Sequence, residues 1–480
     1  MHRPSRLLQR TAAAATSRPT REVAHGCRLR HLSTTVAPVA TEDLTDSPAE
    51  EVDGEPTTAG GKARFSPQVT FGKNKIGWVA LPDEIIGAIE AEISTSSNRQ
   101  LKRDVARIHA SLRSTGSASK LIKYATPTGR VPLIAPHTIQ YGPLETQAYL
   151  ASRTVPAYAA AWNVLSQVAR RCPDFKPKTC LDFGTGPGTA LWAANCVWSG
   201  IETNVGIDLS EPMLTVAARL AAGSDSRVRG FSTRRFLPLD DSTPPSDLVI
   251  ASFVLEDLPS DAVRTATVAT LWGRTADTLV LIDRGTPDGF ARIAAARAEI
   301  LAAEDARKPM PEISDTTPPE SLSKAQPQAA DTVHIVAPCP HSLTCPMLSQ
   351  SSWCHFSQRI QRSKHMMATS PDPVSKNHQD IKFAYVVLRR GPASRAGAAP
   401  FVIDAFSWPR VIAPPMKRDK HVVLDYCGSS GRLERTIVSK GKAGKSVYYE
   451  ARKSAWGDIW PHPAFGKVVV KEDKAKEKEV

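Results

Sequence analysis

Apolar positions recur at helical spacing in two stretches. Across 81–114, Ile85, Ile86, Ile89 and Ile93 are followed by Leu101, Val105, Ile108 and Leu112. Pro82-Asp83-Glu84 places a proline and two acids where a first helical turn accepts them. Across 145–171, Tyr149, Val155, Tyr158, Ala161, Val164 and Val168 mark one face of a second helix that ends before Pro173. Together these predict a helical N-terminal unit over 67–172. From 179 the rhythm alternates. Strands are predicted at 179–183, 203–209, 247–253 and 277–283, each followed by a helix, at 189–198, 212–222, 260–272 and 289–305. Repeated strand–helix units imply an α/β domain over 173–306, with a parallel sheet covered on both faces. The polar runs 307–332 and 364–380 read as an insertion and a linker. Further strands at 381–389, 422–425, 433–438 and 446–451 predict C-terminal strands and a small β unit over 381–465. A mixed-charge tail covers 466–480.

The first 40 residues change the picture at one end. Arg3, Arg6, Arg10, Arg18, Arg21, Arg28 and Arg30 stand against one acid, Glu22, with Ser, Thr and Ala between them. That is the composition of a mitochondrial transit peptide, expected over 1–33, and it places the protein in the mitochondrial matrix. A polar, Pro- and Gly-bearing linker is expected over 34–66. No run approaches the roughly 18 apolar residues a membrane helix needs. The net charge is +13, which favours a polyanionic partner, because each Lys or Arg that meets a phosphate releases counterions.

The segment LDFGTGPG (181–188) follows an apolar strand and precedes a helix. Glycines there allow a tight turn and close backbone approach to a ligand, while the helix presents its free N–H groups. Asp208 closes the next strand, where a carboxylate can accept ribose hydroxyls. The spacing G-x-G-x-G after Leu-Asp resembles class I S-adenosylmethionine-dependent methyltransferases, a Rossmann-like fold. Candidate cofactor residues are therefore Asp182, Gly184, Gly186, Gly188 and Asp208, with Met213 and Leu214 beside an adenine. Catalysis is less supported. The segment SFVLEDLP (252–259) lacks the Asn/Asp-Pro-Pro-aromatic pattern of base-nitrogen methylation. Glu256 and Asp257 suit a base or a helix cap equally, and Cys180 and Cys196 suit burial. No catalytic residue is assigned.

The eight cysteines include a cluster in 333–363: Cys339, Cys345 and Cys354, each beside Pro or Trp. Cys427 is a candidate fourth ligand. Four thiolates suit zinc or an iron–sulfur cluster. Paired C-x₂-C knuckles are missing, which tilts the reading to a [4Fe–4S] cluster, with His341 and His355 as substitute ligands.

At this point the chain resembles a family, the methyltransferase-like assembly factors of the mitochondrial small ribosomal subunit and their fungal relatives. The resemblance is carried by AYLASRTVPAYAA (148–160), LDFGTGPGTALWAA (181–194), IDRGTPDGFARIAAAR (282–297), PCPHSLTCPM with WCHFSQRIQR (338–347, 353–362), and LDYCGSSGRLERTIVSKGK with YYEARKSAWGDIWP (424–442, 448–461). It implies that Cys339, Cys345, Cys354 and Cys427 ligate a [4Fe–4S] cluster. It also implies that the Rossmann-like domain can hold S-adenosylmethionine without catalysing transfer. The implied partners are small-subunit rRNA and ribosomal proteins, with neither membrane nor DNA. An active rRNA methyltransferase and a zinc-stabilised structural protein are the alternatives. Arg389, Arg390, Arg410, Lys417, Arg418, Lys420, Arg432, Arg435, Lys440, Lys442, Lys445, Arg452 and Lys453, around Trp408, Tyr448, Tyr449 and Trp456, are candidates for RNA contact.

Overall fold

The computed structural model describes residues 65–94, 96–113, 125–126, 129–130, 139–223, 227–237, 243–307, 332–370, 376–393, 400–465 and 468–470. The expected transit peptide, nearly all of the linker after it, most of the 307–332 insertion and most of the charged tail lie outside them. All elements below belong to the unit Thr45–Val480.

The N-terminal helices are α1 (Pro67–Gly72), α2 (Asp83–Ile93), α3 (Asn98–Arg113), α4 (Pro143–Ser152) and α5 (Thr154–Arg171). Each of the two long helices expected from periodicity is in fact two. The first breaks in a serine-rich stretch, where Ser97 Oγ accepts from Gln100 N–H and starts α3. The second breaks at Arg153 because Pro156 has no N–H to offer Ser152.

The main sheet begins with β1 (Thr179–Phe183), β2 (Thr203–Ile207), β3 (Phe231–Arg234), β4 (Ser246–Ser252) and β5 (Thr275–Arg284). Helices α6 (Thr189–Val197), α7 (Glu211–Ala221), α8 (Asp261–Gly273) and α9 (Pro287–Ala306) alternate with them. The periodicity located all of these except β3, whose residues are mostly exposed. The sheet then takes in β6 (Val333–Ala337), β7 (Phe356–Gln361) and β8 (His378–Arg390). Its order is β3-β2-β1-β4-β5-β8-β6. The first five strands are parallel, and β8 runs antiparallel to β5, β6 and β7.

The central strands are apolar at consecutive positions because both faces are covered. On one face Leu248, Ile250, Val280, Ile282, Phe383 and Tyr385 pack with α5 and α6. On the other, Val249, Ala251, Leu279, Leu281, Val386 and Leu388 pack with α8 and α9.

The edge beside β8 decides where the cysteines go. Ala337 of β6 pairs with Val387, and Phe356 of β7 pairs with Phe383. β6 and β7 therefore lie end to end along one strand. Residues 338–355 leave the sheet between them and return.

The expected linker at 364–380 is structured at both ends. It opens with α10 (Lys364–Thr369), capped by Ser363 Oγ, and its last residues already belong to β8. After α11 (Pro400–Asp404), a second sheet forms from β9 (Arg410–Val411), β10 (Met416–Lys417), β11 (His421–Cys427), β12 (Leu433–Ser439) and β13 (Val469–Val470). The strand expected at 446–451 is instead part of α12 (Lys440–Arg452). Tyr448 and Ala451, three residues apart, are both buried, which is helical rather than alternating spacing.

Candidate functional site

Two places gather chemistry. The first is the turn after β1. Gly184, Gly186 and Gly188 all have positive φ, at 71°, 52° and 85°, a region closed to most side chains. At Gly184 a Cβ would also lie 2.4 Å from Val254 Cγ2, whereas at Gly186 it would meet nothing within 4 Å. The turn is thus packed below and open above. Asp208 Oδ2 accepts from Gly186 N–H (2.8 Å) and Oδ1 from Ser210 N–H (2.9 Å). Each oxygen keeps a further lone pair for a ligand hydroxyl. Burial raises the Asp208 carboxyl above the usual range, and the two N–H bonds oppose that. Asp182 is buried, with Oδ2 accepting from Thr185 Oγ1–H (2.8 Å) and Oδ1 lacking any partner. Burial pushes its carboxyl up to about 7, and the Asp208 charge adds to this. Met213 and Leu214 are buried in α7.

Above the same strand ends stands a polar group that sequence reasoning did not assign: Tyr141, Tyr149, Arg153, Asp283, Arg284 and Arg292. Its members come from two stretches far apart in the chain, 141–153 and 283–292, so nothing local in the sequence shows that they meet. Arg284 pairs with Glu256 (2.9 Å) and Arg292 with Asp283 (2.7 Å). Glu256 is thus occupied by its own arginine rather than free as a base. Burial, then the neighbouring Glu256 charge, pushes Asp257 up to about 7.

The second place is the excursion 338–355. Cys339, Cys345 and Cys354 lie on it, and Cys427 ends β11 in the other sheet. All four pack into one apolar cluster with Met347, Trp353, Ile412 and Leu433. They carry no disulfide. Burial raises the thiols of Cys345 (to about 11), Cys354 and Cys427, and the other cysteines of the set add to each shift. The four are therefore within electrostatic reach of one another. Among the described residues no three His, Cys, Asp or Glu side chains stand close enough to hold a single metal ion. His341 Nε2 lies 3.3 Å from Cys427 Sγ, and burial with the nearby Arg297 charge lowers its pKa to about 4. His355 instead stacks against Trp353 and meets Trp456 edge-on.

Three side chains fix this excursion. Arg297 of α9 donates to His341 O (2.9 Å) and Leu343 O (2.7 Å). Arg410 of β9 donates to Pro338 O (2.9 Å) and Gly457 O (2.7 Å). Trp353 Nε1–H donates to Gly285 O (2.9 Å).

The basic set expected at RNA divides. Arg389 is buried between Asp174 and Asp277. Arg390 lies over the Trp272 ring, Arg410 is buried as above, and Arg435 pairs with Asp425. These four hold the fold, since each finds an internal acceptor or ring. Lys417, Arg418, Lys420, Arg432, Lys440, Lys442, Lys445 and Lys453 stay exposed, as does Tyr449.

The sequence profile described as "Mitochondrial small ribosomal subunit Rsm22" matches residues 143–461. The chain is 32% identical over 320 residues to "Ribosome assembly protein METTL17, mitochondrial" of Homo sapiens, covering 65% of this chain and 62% of that protein. It is 29% identical to "Rsm22-cox11 tandem protein 2, mitochondrial" of Schizosaccharomyces pombe, covering 65% of this chain and 43% of that one. It is 24% identical to "Ribosome assembly protein RSM22, mitochondrial" of Saccharomyces cerevisiae, covering 67% and 68%. The chain thus spans less than two thirds of the length of the first two relatives. A magnesium protoporphyrin IX methyltransferase from Synechocystis superposes with a TM-score of 0.28 at 12% identity, covering 50% of this chain and 86% of that one. The sheet order, with one antiparallel strand next to the edge, is that of a class I methyltransferase fold. The profile spans the glycine turn, the cysteine excursion and all but the last strand of the second sheet, and the chain belongs to the Rsm22 family of the mitochondrial small ribosomal subunit.

Proposed function

We propose that this protein is an assembly factor of the mitochondrial small ribosomal subunit that works in the matrix. In this reading it binds rRNA, carries a [4Fe–4S] cluster on Cys339, Cys345, Cys354 and Cys427, and keeps a catalytically silent methyltransferase fold that still takes S-adenosylmethionine. The observation that carries it is the gathering of three cysteines of the excursion and Cys427 of the second sheet into one apolar cluster, in a chain whose relatives are named for ribosome assembly.

The donor set is four thiols, whose softness suits an iron–sulfur cluster or zinc. Among the described residues no three of these ligands already stand close enough to hold one ion, so binding would draw them together. The raised thiols favour the protonated form until a strongly positive group displaces the protons. Bound there, the cluster would cross-link the edge of the main sheet to the second sheet.

S-adenosylmethionine fits the open face above Gly186, the spare lone pairs of Asp208 and the orphaned Asp182 Oδ1. Glycines 184, 186 and 188 would let the backbone approach it. Silence is supported by the segment SFVLEDLP and by Glu256 being held by Arg284. For rRNA, the exposed lysines and arginines around β10, β11 and α12 supply phosphate contacts, with Tyr449 for stacking.

Anaerobic purification tests the metal reading. Brown protein absorbing at about 400 nm, with iron and sulfide in equal amounts, is expected, and Cys354→Ser should lose both. Colourless protein holding zinc refutes it. Sedimentation with small-subunit precursors, lost at raised salt, is the expected sign of rRNA binding. Labelled methyl appearing in small-subunit rRNA would overturn the silence.

A further inference from the structure

Arg410 of β9 is 3% exposed, and its hydrogen bonds tie together pieces that carry the cysteines. It stands directly opposite Cys427 in the register of β9 and β11, and cross-strand partners leave the same face of a sheet. Its Nε–H donates to Pro338 O (2.9 Å), the carbonyl next to Cys339. Its Nη1 donates to Gly457 O (2.7 Å) and Gln167 Oε1 (3.3 Å). All of these acceptors are neutral. The remaining nitrogen, Nη2, is buried and donates to nothing among the described residues. No carboxylate balances the charge, whereas Arg389 is held between Asp174 and Asp277. Asp458, next in the chain to Gly457, is taken up by Lys73 and by the N–H groups of Asn74 and Ala455. The surroundings add positive charge instead. One turn beyond Gln167 on α5, Arg171 buries Nε and Nη1 without an acceptor. Arg297 of α9 meets the excursion through carbonyls alone. A guanidinium taken from water without a counter-charge is costly. Beside it, four thiols share an apolar cluster in which burial disfavours their thiolates, and the Arg410 charge opposes that at Cys354. The two deficits offset each other when metal binding strips the thiols of their protons.

We propose that Arg410 is the counter-charge of the metal-bound cysteine set, a residue that ligates nothing but holds an anionic cluster in the pocket and raises its reduction potential. This rests on the [4Fe–4S] reading above. Four thiolates around a cubane core leave a net negative charge, which grows on reduction. A fixed buried cation therefore stabilises the reduced form more than the oxidised one. An arginine suits the place because it keeps its charge when buried and anchors on several carbonyls at once through its planar fork.

Anaerobic potentiometric titration of the full chain with dithionite reads the midpoint of the cluster, with iron content measured alongside. Arg410→Gln should shift the ratio of reduced to oxidised cluster about tenfold toward the oxidised form at a given potential, a fall of about 59 mV for one electron. Arg410→Lys, which keeps the charge, should stay within about twofold of wild type in that ratio. Arg410→Gln without iron, beside Arg410→Lys with its full complement, also supports the inference, since charge is what separates the two. An unchanged midpoint in iron-loaded Arg410→Gln overturns it while the cluster reading stands. So does an equal shift, or an equal loss of iron, in both variants, since the residue then holds the fold through its carbonyl contacts. Wild type that takes up no iron removes the cluster reading itself, and this inference with it.

Discussion

Replacing Arg297 with methionine tests whether one α9 side chain holds the cysteine excursion in place. Arg297 is 4% exposed, and its Nη2 donates to the carbonyls of His341 and Leu343, which lie between Cys339 and Cys345. A hydrogen bond from a charged donor contributes about 1.5–3 kcal/mol, and an abandoned buried carbonyl costs more than an exposed one. The His341 carbonyl is in the buried bond and the Leu343 carbonyl in the part-buried one. Methionine fills much of the same space, which recovers some packing. The net loss is about 3 kcal/mol, or roughly a hundredfold in a local equilibrium. That loss should fall on opening of 338–350 rather than on the sheet, because Arg297 bonds only to the excursion there. Hydrogen exchange reads this directly. Amides such as Leu348 and Gln350, bonded within the excursion, should lose protection about a hundredfold. Those of β4 and β5 should not change. Unchanged protection of 338–350 would refute the clamp, and an equal loss in β4 and β5 would show a global rather than a local role.

Other outcomes follow from the same geometry. Gly184→Ala places a Cβ against Val254 at a φ of 71°; a loss of about 2–3 kcal/mol is expected from strain and overlap, read as a fall in melting temperature. Burial pushes the Asp182 carboxyl up to about 7 from its ordinary value of 3.8, so the folded chain holds the extra proton between those values. Stability should therefore fall as pH rises from about 4 to 7, and Asp182→Asn should flatten that slope; a wild-type melting curve independent of pH in this window would contradict it. Arg389→Leu strands Asp174 and Asp277, which are partly exposed at 36% and 23%. Water can solvate them, so the urea midpoint should fall by an amount equal to about 2 kcal/mol, less than for a fully buried pair.

Much of this architecture was legible in the amino-acid order. The strand–helix alternation from 179 to 305 gave its elements to within about three residues, because strands covered on both faces are continuously apolar and their helices are not. The glycine turn was legible because its spacing is local. What failed was non-local or hidden by short-range resemblance. SVYYEA (446–451) alternates well enough to look extended, yet Tyr448 and Ala451 face one core. Arg389, Arg390, Arg410 and Arg435 looked like an RNA surface, because composition cannot tell a solvated arginine from one meeting Asp277 or a carbonyl. Strand β3, mostly exposed, had no pattern to find. The Arg153 group drew on residues 141 to 292, and no window on the sequence contains it.

The end-to-end placement of β6 and β7 has a consequence for how the two halves of this protein depend on each other. Along β8 only Ala384, Tyr385 and Val386 separate the partners of the two strands. A linker of about three residues, at strand rise per residue, would join Ala337 to Phe356 as one uninterrupted edge. The cysteine segment is therefore an inlay in a border that closes without it. Cutting it out should leave a methyltransferase-like sheet that still closes its own border, so damage confined to the cysteine segment would leave an intact scaffold rather than an unfolded polypeptide.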